Sequence, residues 1–363
     1  MSKQNPPASP FSFRIASVSG IPVRIHVTFL LLVVWAIVVA QSSPEGMRLA
    51  VLLPFVFLSV VLHELGHALT AKQFGIGTRD ITLYPIGGVA MLTGRPKPVQ
   101  EFWIAIAGPL VNVVIALVAG FILFLTKGEL PHIFVPLTKH SVLEGIFVVN
   151  VILPLFNMVP AFPMDGGRVF RSLLAMRMEP AKATQIAAAV GQSLAVLFGL
   201  LGIFFGNLIL VLIAVFVFLG AGQEAQSAVG LSLIEGRRVA DAMMTRFRTV
   251  SGGQTLAEVS QMLLEGSQQD FPVCYEDEPH GILTREALIR GMAQRGENDY
   301  VAGHMLREFS KLSPYDSLEA AMQIFSQGDR SPILVMDGDR IVGMLTIENL
   351  YEFMMLQQAR ATG

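Results

Sequence analysis

Cys274 is the chain's single cysteine. It excludes an intramolecular disulfide and a zinc cage built from thiolates, and the lone thiol is expected as a small buried residue. Charge is also scarce. Asp, Glu, Lys and Arg make up 15 % of the 363 residues, against about 25 % in an average soluble domain. With 52 % hydrophobic residues and a mean hydropathy of +0.56, the chain is too apolar for a soluble enzyme of its length. It also has too much apolar surface to stay disordered. It carries no basic patch, which argues against nucleic acid as a partner. The first 24 residues hold Pro6, Pro7, Pro10 and Pro22 and no long apolar run, so no cleavable leader is expected.

What the chain does hold is unevenly spread. Residues 1–223 carry 14 Lys/Arg against 8 Asp/Glu, a net of +6, and residues 224–363 carry 12 against 20, a net of −8. Two parts in different solvents follow from that split. Uncharged runs cover residues 25–44, 49–62, 102–126 and 145–162, and no charge occurs between Lys182 and Glu224. A bilayer span needs about 20 mostly apolar residues. The last run is about twice that, and Gly206-Asn207 marks a turn inside it. Six spans are expected, the last two as a hairpin. An even number puts both ends on one side. That side receives Lys72, Arg79, Arg95, Lys97, Arg168, Arg171, Arg177 and Lys182, whereas the other receives only Arg48, Lys127 and Lys139. The positive-inside rule makes the first side cytoplasmic. Residues 76–98, IGTRDITLYPIGGVAMLTGRPKP, read as a short β-hairpin on that face. From about 237 the pattern becomes soluble and repeats at 62 residues. Leu256 matches Leu318, Gly281 matches Gly343 and Thr284 matches Thr346. Each unit reads as helix, strand, turn, strand, helix.

The chemistry centres on His63-Glu64-Leu65-Gly66-His67. Positions i and i+4 share one face of a helix, so both imidazoles can hold one ion. Glu64 adjoins them, a spacing that suits zinc with a carboxylate general base. Ionisable groups inside an apolar span are costly and functional by default. A catalytic zinc site takes three protein ligands and leaves a position for water. Asp165, in Asn157-Met-Val-Pro-Ala-Phe-Pro-Met-Asp165-Gly-Gly-Arg168 after the fourth span, is the best third ligand. Pro160 and Pro163 break the helix there, and Gly166 and Gly167 are expected to let the backbone turn tightly. His26 is a rival ligand, but at the head of the first span it suits an interfacial anchor better.

HELGH in one span and NxxPxxPMDGGR in a later one resemble the site-2 protease family of intramembrane zinc metalloproteases. GIPVRIHVTF, YPIGGVA and AGPLVN (residues 107–112) look like further signatures of that family. The repeat at 237–356 resembles a tandem pair of cystathionine-β-synthase-type (CBS) modules. The resemblance implies a polytopic α-helical membrane protein with a short β-hairpin and a soluble α/β tandem CBS module. Its domains are a metalloprotease over 1–228 and CBS modules over 237–298 and 299–358. It implies one Zn2+ per chain on His63, His67 and Asp165, Glu64 activating water, and Asn157 holding the substrate or its oxyanion. Asn112 could do likewise or serve as interhelical glue. Residues 84–92 are a candidate edge that catches an unwound substrate by β-augmentation, or else a structural plug. The substrate would be a membrane-anchored protein cleaved in or near its transmembrane segment. CBS pairs often bind adenine nucleotides through Gly-x-x-Thr/Ser-x-x-Asp. Here Thr284 is followed by Ala287 and Thr346 by Asn349. Contacts from Thr284, Thr346 and Asn349 would thus be weak, on the order of 0.1 mM. The CBS modules are expected to pair into a homodimer and, on their short tether, to regulate substrate access. A CBS-regulated metal-ion transporter or channel is the rival reading. It would need polar groups staggered across the bilayer, and here they collect at one side.

Overall fold

A computed structural model describes residues 11–85, 87–129, 131, 133, 135–276, 278–326 and 331–362. Ile86 in the expected hairpin and Asp277 in the repeat fall outside them, as does the proline-rich stretch before residue 11. Two units are resolved by internal contacts, one over Pro7–Ala228 and one holding Val229–Gly363.

The membrane unit opens with strands β1 (Ser12–Val18) and β2 (Ile21–His26), and in β2 the β-branched Ile21, Val23 and Ile25 alternate with Pro22, Arg24 and His26. Helix α1 (Phe29–Ser42) therefore starts later than the uncharged run from residue 25 suggests, because Ile25 and His26 belong to β2. Ser43 is extended and its hydroxyl accepts from the Gly46 amide at 3.0 Å, capping α2 (Pro44–Gln73). Strands β3 (Thr78–Tyr84) and β4 (Gly87–Leu92) form the expected hairpin. The sheet is larger than the hairpin alone: its order is β1-β2-β3-β4, with β2 parallel to β3 and the other pairs antiparallel. Ile21 and Ile81 bury their side chains against Leu65 and Ala68 of α2, which lays the sheet on the helix that carries the HExxH motif. β4 is left as an edge.

Helix α3 (Pro98–Lys127) follows, then α4 (Val142–Asn157), capped by Ser141 and Glu144 acting reciprocally. A loop over 158–164 leads to α5 (Asp165–Ala175), and α6 (Pro180–Phe204) and α7 (Leu208–Ser232) form the last hairpin, with Gly206 at φ +65° between them. Among the described residues six helices of this unit are thus apolar. Among the described residues α2, α3, α6 and α7 are long and apolar enough to cross a membrane, whereas α1 has 14 residues and α4 has 16. At about 1.5 Å per residue, those two fall short of a hydrocarbon core about 30 Å thick. Gly166 and Gly167 lie in the first turn of α5 with helical backbone, so the expected tight turn is not made there. The bend is made before them, by the 158–164 loop. That loop buries Ala161 and Met164 against Ala195 and Val217, and Phe162 against Ala187, Ala188 and Ala221. Small residues on α6 and α7 let it approach and hold the start of α5 in place.

The second unit repeats one motif twice. α8 (Leu256–Glu265), β5 (Phe271–Tyr275), β6 (Glu278–Leu283) and α9 (Arg285–Arg295) are echoed 62 residues on. After β7 (Lys311–Leu312) come α10 (Leu318–Ser326), β8 (Ile333–Asp337), β9 (Arg340–Leu345) and α11 (Ile347–Thr362). The halves exchange their leading segments. Ile234 and Val239 pack into a core with Leu318, Ile333, Leu345 and Leu350, while Val301 joins Leu256, Phe271, Leu283 and Leu288. Ile282, Leu334 and Met344 bury one another across the middle. Cys274 on β5 is half-buried rather than fully so. Thr284 accepts from the Ala287 amide at 3.2 Å, and Thr346 and Asn349 bond reciprocally at 3.0–3.3 Å. All three side chains are engaged in capping helices α9 and α11.

Candidate metal centre

His63 and His67 lie one turn apart on α2, and both are buried. Asp165, at the first position of α5, reaches them from 102 residues beyond His63. The two Nε2 atoms are 3.0 Å apart, and Asp165 Oδ2 is 3.1 Å from that of His63 and 3.3 Å from that of His67. Ligands at about 2.0–2.1 Å in a zinc tetrahedron are separated by about 3.3–3.4 Å, so the triangle has nearly the size that a tetrahedral ion requires.

The hydrogen-bond partners settle which nitrogens face inward. His67 Nδ1 lies 2.6 Å from the carbonyl oxygen of Ile104, which can only accept, so Nδ1 carries the hydrogen. His63 Nδ1 lies 2.6 Å from Asn112 Oδ1, also an acceptor. Both Nε2 atoms then present lone pairs to a carboxylate oxygen. Three lone pairs aimed at one point repel unless a cation lies between them. The donor set, two imidazoles and a carboxylate, is one that zinc takes.

Close approach of α3 makes the triangle possible. Gly108 stands where a methyl group would sit 2.3 Å from His67 Nε2 and 2.7 Å from His63 Nε2. Only glycine leaves room for both rings and an ion. Nothing local in AGPLVN marks this role of Gly108, because the rings it must clear belong to another helix.

The triangle borders a cavity of about 500 Å³ that Glu64, Asn157, Arg168 and residues 87–90 of β4 also line. Gly88 of β4 packs so closely on Glu64 that an added Cβ would lie 2.6 Å from its Cγ. Glu64 and Asn157 thus share one cavity with the histidines. Asn112 lies outside it, fully buried and bonded to His63. His26 stays apart: its Nδ1 is 2.9 Å from Thr28 Oγ1 and its ring lies tilted with its centroid 5.0 Å from that of Tyr84.

Apolar helices, an HExxH helix, a distant aspartate and a carboxylate beside the ion site define a membrane metalloprotease. The comparisons agree. The pattern of peptidase family M50 matches residues 51–142 and 135–200, and that of the CBS domain matches 239–294 and 299–356. Zinc metalloprotease MJ0392 of Methanocaldococcus jannaschii is 35 % identical over 72 % of this chain and 75 % of its own length. Rip3 of Mycobacterium tuberculosis is 30 % identical over 79 % and 76 %. The solved site-2 protease from Methanocaldococcus jannaschii is 40 % identical, covers 59 % of this chain and 95 % of its own, and superposes with a TM-score of 0.45. The chain belongs to peptidase family M50, the site-2 protease family of zinc metalloproteases, and carries a C-terminal CBS pair.

Proposed function

We propose that this protein is an intramembrane endopeptidase that cuts membrane-anchored proteins within or next to their transmembrane segment. The observation that carries this reading is the convergence of His63, His67 and Asp165 with Glu64 on one cavity beside an edge strand. Zinc, when bound, acts as a Lewis acid that polarises the scissile carbonyl and lets water ionise near neutral pH. Glu64 accepts a proton from the attacking water and returns it to the departing amine nitrogen. Asn157 donates its amide to the oxygen on which charge develops. A helical substrate must unwind before its peptide bond can be attacked. The edge of β4, unpaired among the described residues and lining the cavity with residues 87–90, offers the extended chain backbone partners by β-augmentation.

Reconstituted vesicles test the reading. Purified protein is expected to cut a co-reconstituted single-span substrate at a bond near the bilayer and to show no zinc or other cation uptake. Cation uptake without cleavage would instead support the transporter reading. In the same vesicles the CBS pair is assigned a regulatory role, so a chain ending before residue 237 is expected to cleave at an altered rate. An unchanged rate removes that role.

The Lys/Arg distribution supports a cytoplasmic active-site face, with residue 363 on the same side. Reporter fusions after residue 363 are expected to be active as cytoplasmic reporters. Activity only as an exported reporter overturns this orientation.

A further inference from the structure

Behind the metal centre runs a chain of buried polar groups that the proposed reaction does not use. Asn112 on α3, Asn150 on α4 and Ser59 on α2 are at most 4 % exposed. Asn112 Nδ2 donates to Asn150 Oδ1 at 2.8 Å. Asn150 Nδ2 donates to Ser59 Oγ at 3.0 Å and to the Ile146 carbonyl at 2.8 Å. Ser59 Oγ donates to the Phe55 carbonyl at 3.0 Å.

The direction of the chain is dictated from its far end. The carbonyl oxygens of Phe55 and Ile146 can only accept. Ser59 must therefore spend its one hydrogen on Phe55 and receive from Asn150. Asn150 spends both amide hydrogens, one on Ser59 and one on Ile146, so its remaining group toward Asn112 is the acceptor Oδ1. Asn112 must then turn Nδ2 to Asn150, which leaves Oδ1 facing His63. A ring nitrogen 2.6 Å from that oxygen has to carry the hydrogen. Flipping either amide would set acceptor against acceptor, Asn150 Oδ1 against the Ile146 carbonyl in one case and Asn112 Oδ1 against Asn150 Oδ1 in the other.

We infer that Asn150 and Ser59 are positioning residues. Anchored on the Phe55 and Ile146 carbonyls, they set the orientation of Asn112, and through it they hold His63 in the tautomer whose Nε2 lone pair faces the metal. Neither touches the ion, the substrate or the cavity where cleavage is placed. The inference rests on the metal-centre reading above, and the chain differs from mere interhelical glue in what it controls. Glue affects whether the helices hold together; this chain also affects how well His63 binds zinc.

Competition with a chromogenic zinc chelator, on purified full-length protein in detergent, separates the two. Asn150→Leu removes the acceptor for Asn112 and frees it to rotate. Zinc affinity is expected to fall about ten-fold or more, the size of loss seen when a ligand's orienting partner is removed. Asn150→Asp, uncharged in so buried a setting, keeps an acceptor for Asn112 and one donor, and is expected to restore most of the affinity. Wild-type affinity in Asn150→Leu, or equal loss in both variants, overturns the inference. Should Asn150→Leu fail to fold, Ser59→Ala takes its place, with weakened zinc binding expected and unchanged binding refuting the chain. His63→Ala run in parallel keeps the two claims apart. If it too binds zinc as the wild type does, the metal centre itself is misplaced. If it loses zinc while Asn150→Leu does not, the positioning role alone fails.

Discussion

Glu64→Gln is expected to keep its zinc and its fold while losing cleavage by about 10²–10⁴-fold, the usual contribution of a positioned general base. The substitution is nearly isosteric. It preserves the side-chain length that packs against Gly88 of β4 and removes only the ability to accept a proton. Glu64 is not one of the three groups whose donor atoms converge, so the ion site is left intact. Cleavage of a reconstituted substrate, measured with zinc content on the same preparation, checks the assignment. Turnover within a few-fold of wild type would transfer the base to another residue. Zinc loss together with activity would mean that Glu64 supports the ion rather than the water. The same variant should retain uncut substrate, so what co-purifies with it identifies the physiological target.

Removal of any one ligand is expected to have the other large effect. Wild-type protein should carry about one zinc per chain. His63→Ala, His67→Ala and Asp165→Ala should each lower that content severely, with cleavage falling in step, because a site of two protein ligands is no longer a catalytic zinc site. Metal analysis after gel filtration checks it. Asp165→Ala is the most informative of the three. Its carboxylate comes from a different helix, and its place in the triangle depends on the 158–164 loop being held by Ala161, Phe162 and Met164 against α6 and α7. Wild-type zinc content in a folded Asp165→Ala variant would exclude it from the site, whereas zinc loss in all three would tie α2 and α5 to a single ion. Incubation of the wild type with a strong chelator should abolish cleavage, and zinc should restore it.

Much of the site could be read from residue order because its parts are local. His63, Glu64 and His67 follow from helical spacing alone, and the long uncharged runs place them in an apolar setting. Asp165 was legible through its residue type and its proline-bounded loop. Other features had no local signal. The hairpin over 78–92 could be read from its own turn, but its parallel pairing with β2 could not, because β2 lies more than fifty residues earlier. The 62-residue repeat announced two similar halves. It could not announce that Ile234 and Val239 enter the core of the second half and Val301 that of the first, since both arrangements have the same period.

By its own pattern the sequence determined the membrane class, the helix that carries two imidazoles and a carboxylate, the candidate third ligand and the soluble repeat. The first two depend on neighbours within a few turns, where hydrophobic periodicity and side-chain spacing act directly, the third on residue type within a proline-bounded loop, and the last on self-similarity at a fixed period. Only the tertiary structure decided that Gly108 leaves room for both rings, that Asn112 holds His63 rather than lining the cavity, and that the carbonyls of Phe55 and Ile146 dictate the direction of the polar chain behind it. These are contacts between helices far apart in the chain. In a buried site every polar atom must find a partner, and which partner it finds is set by how the helices pack, a relation that no single segment encodes.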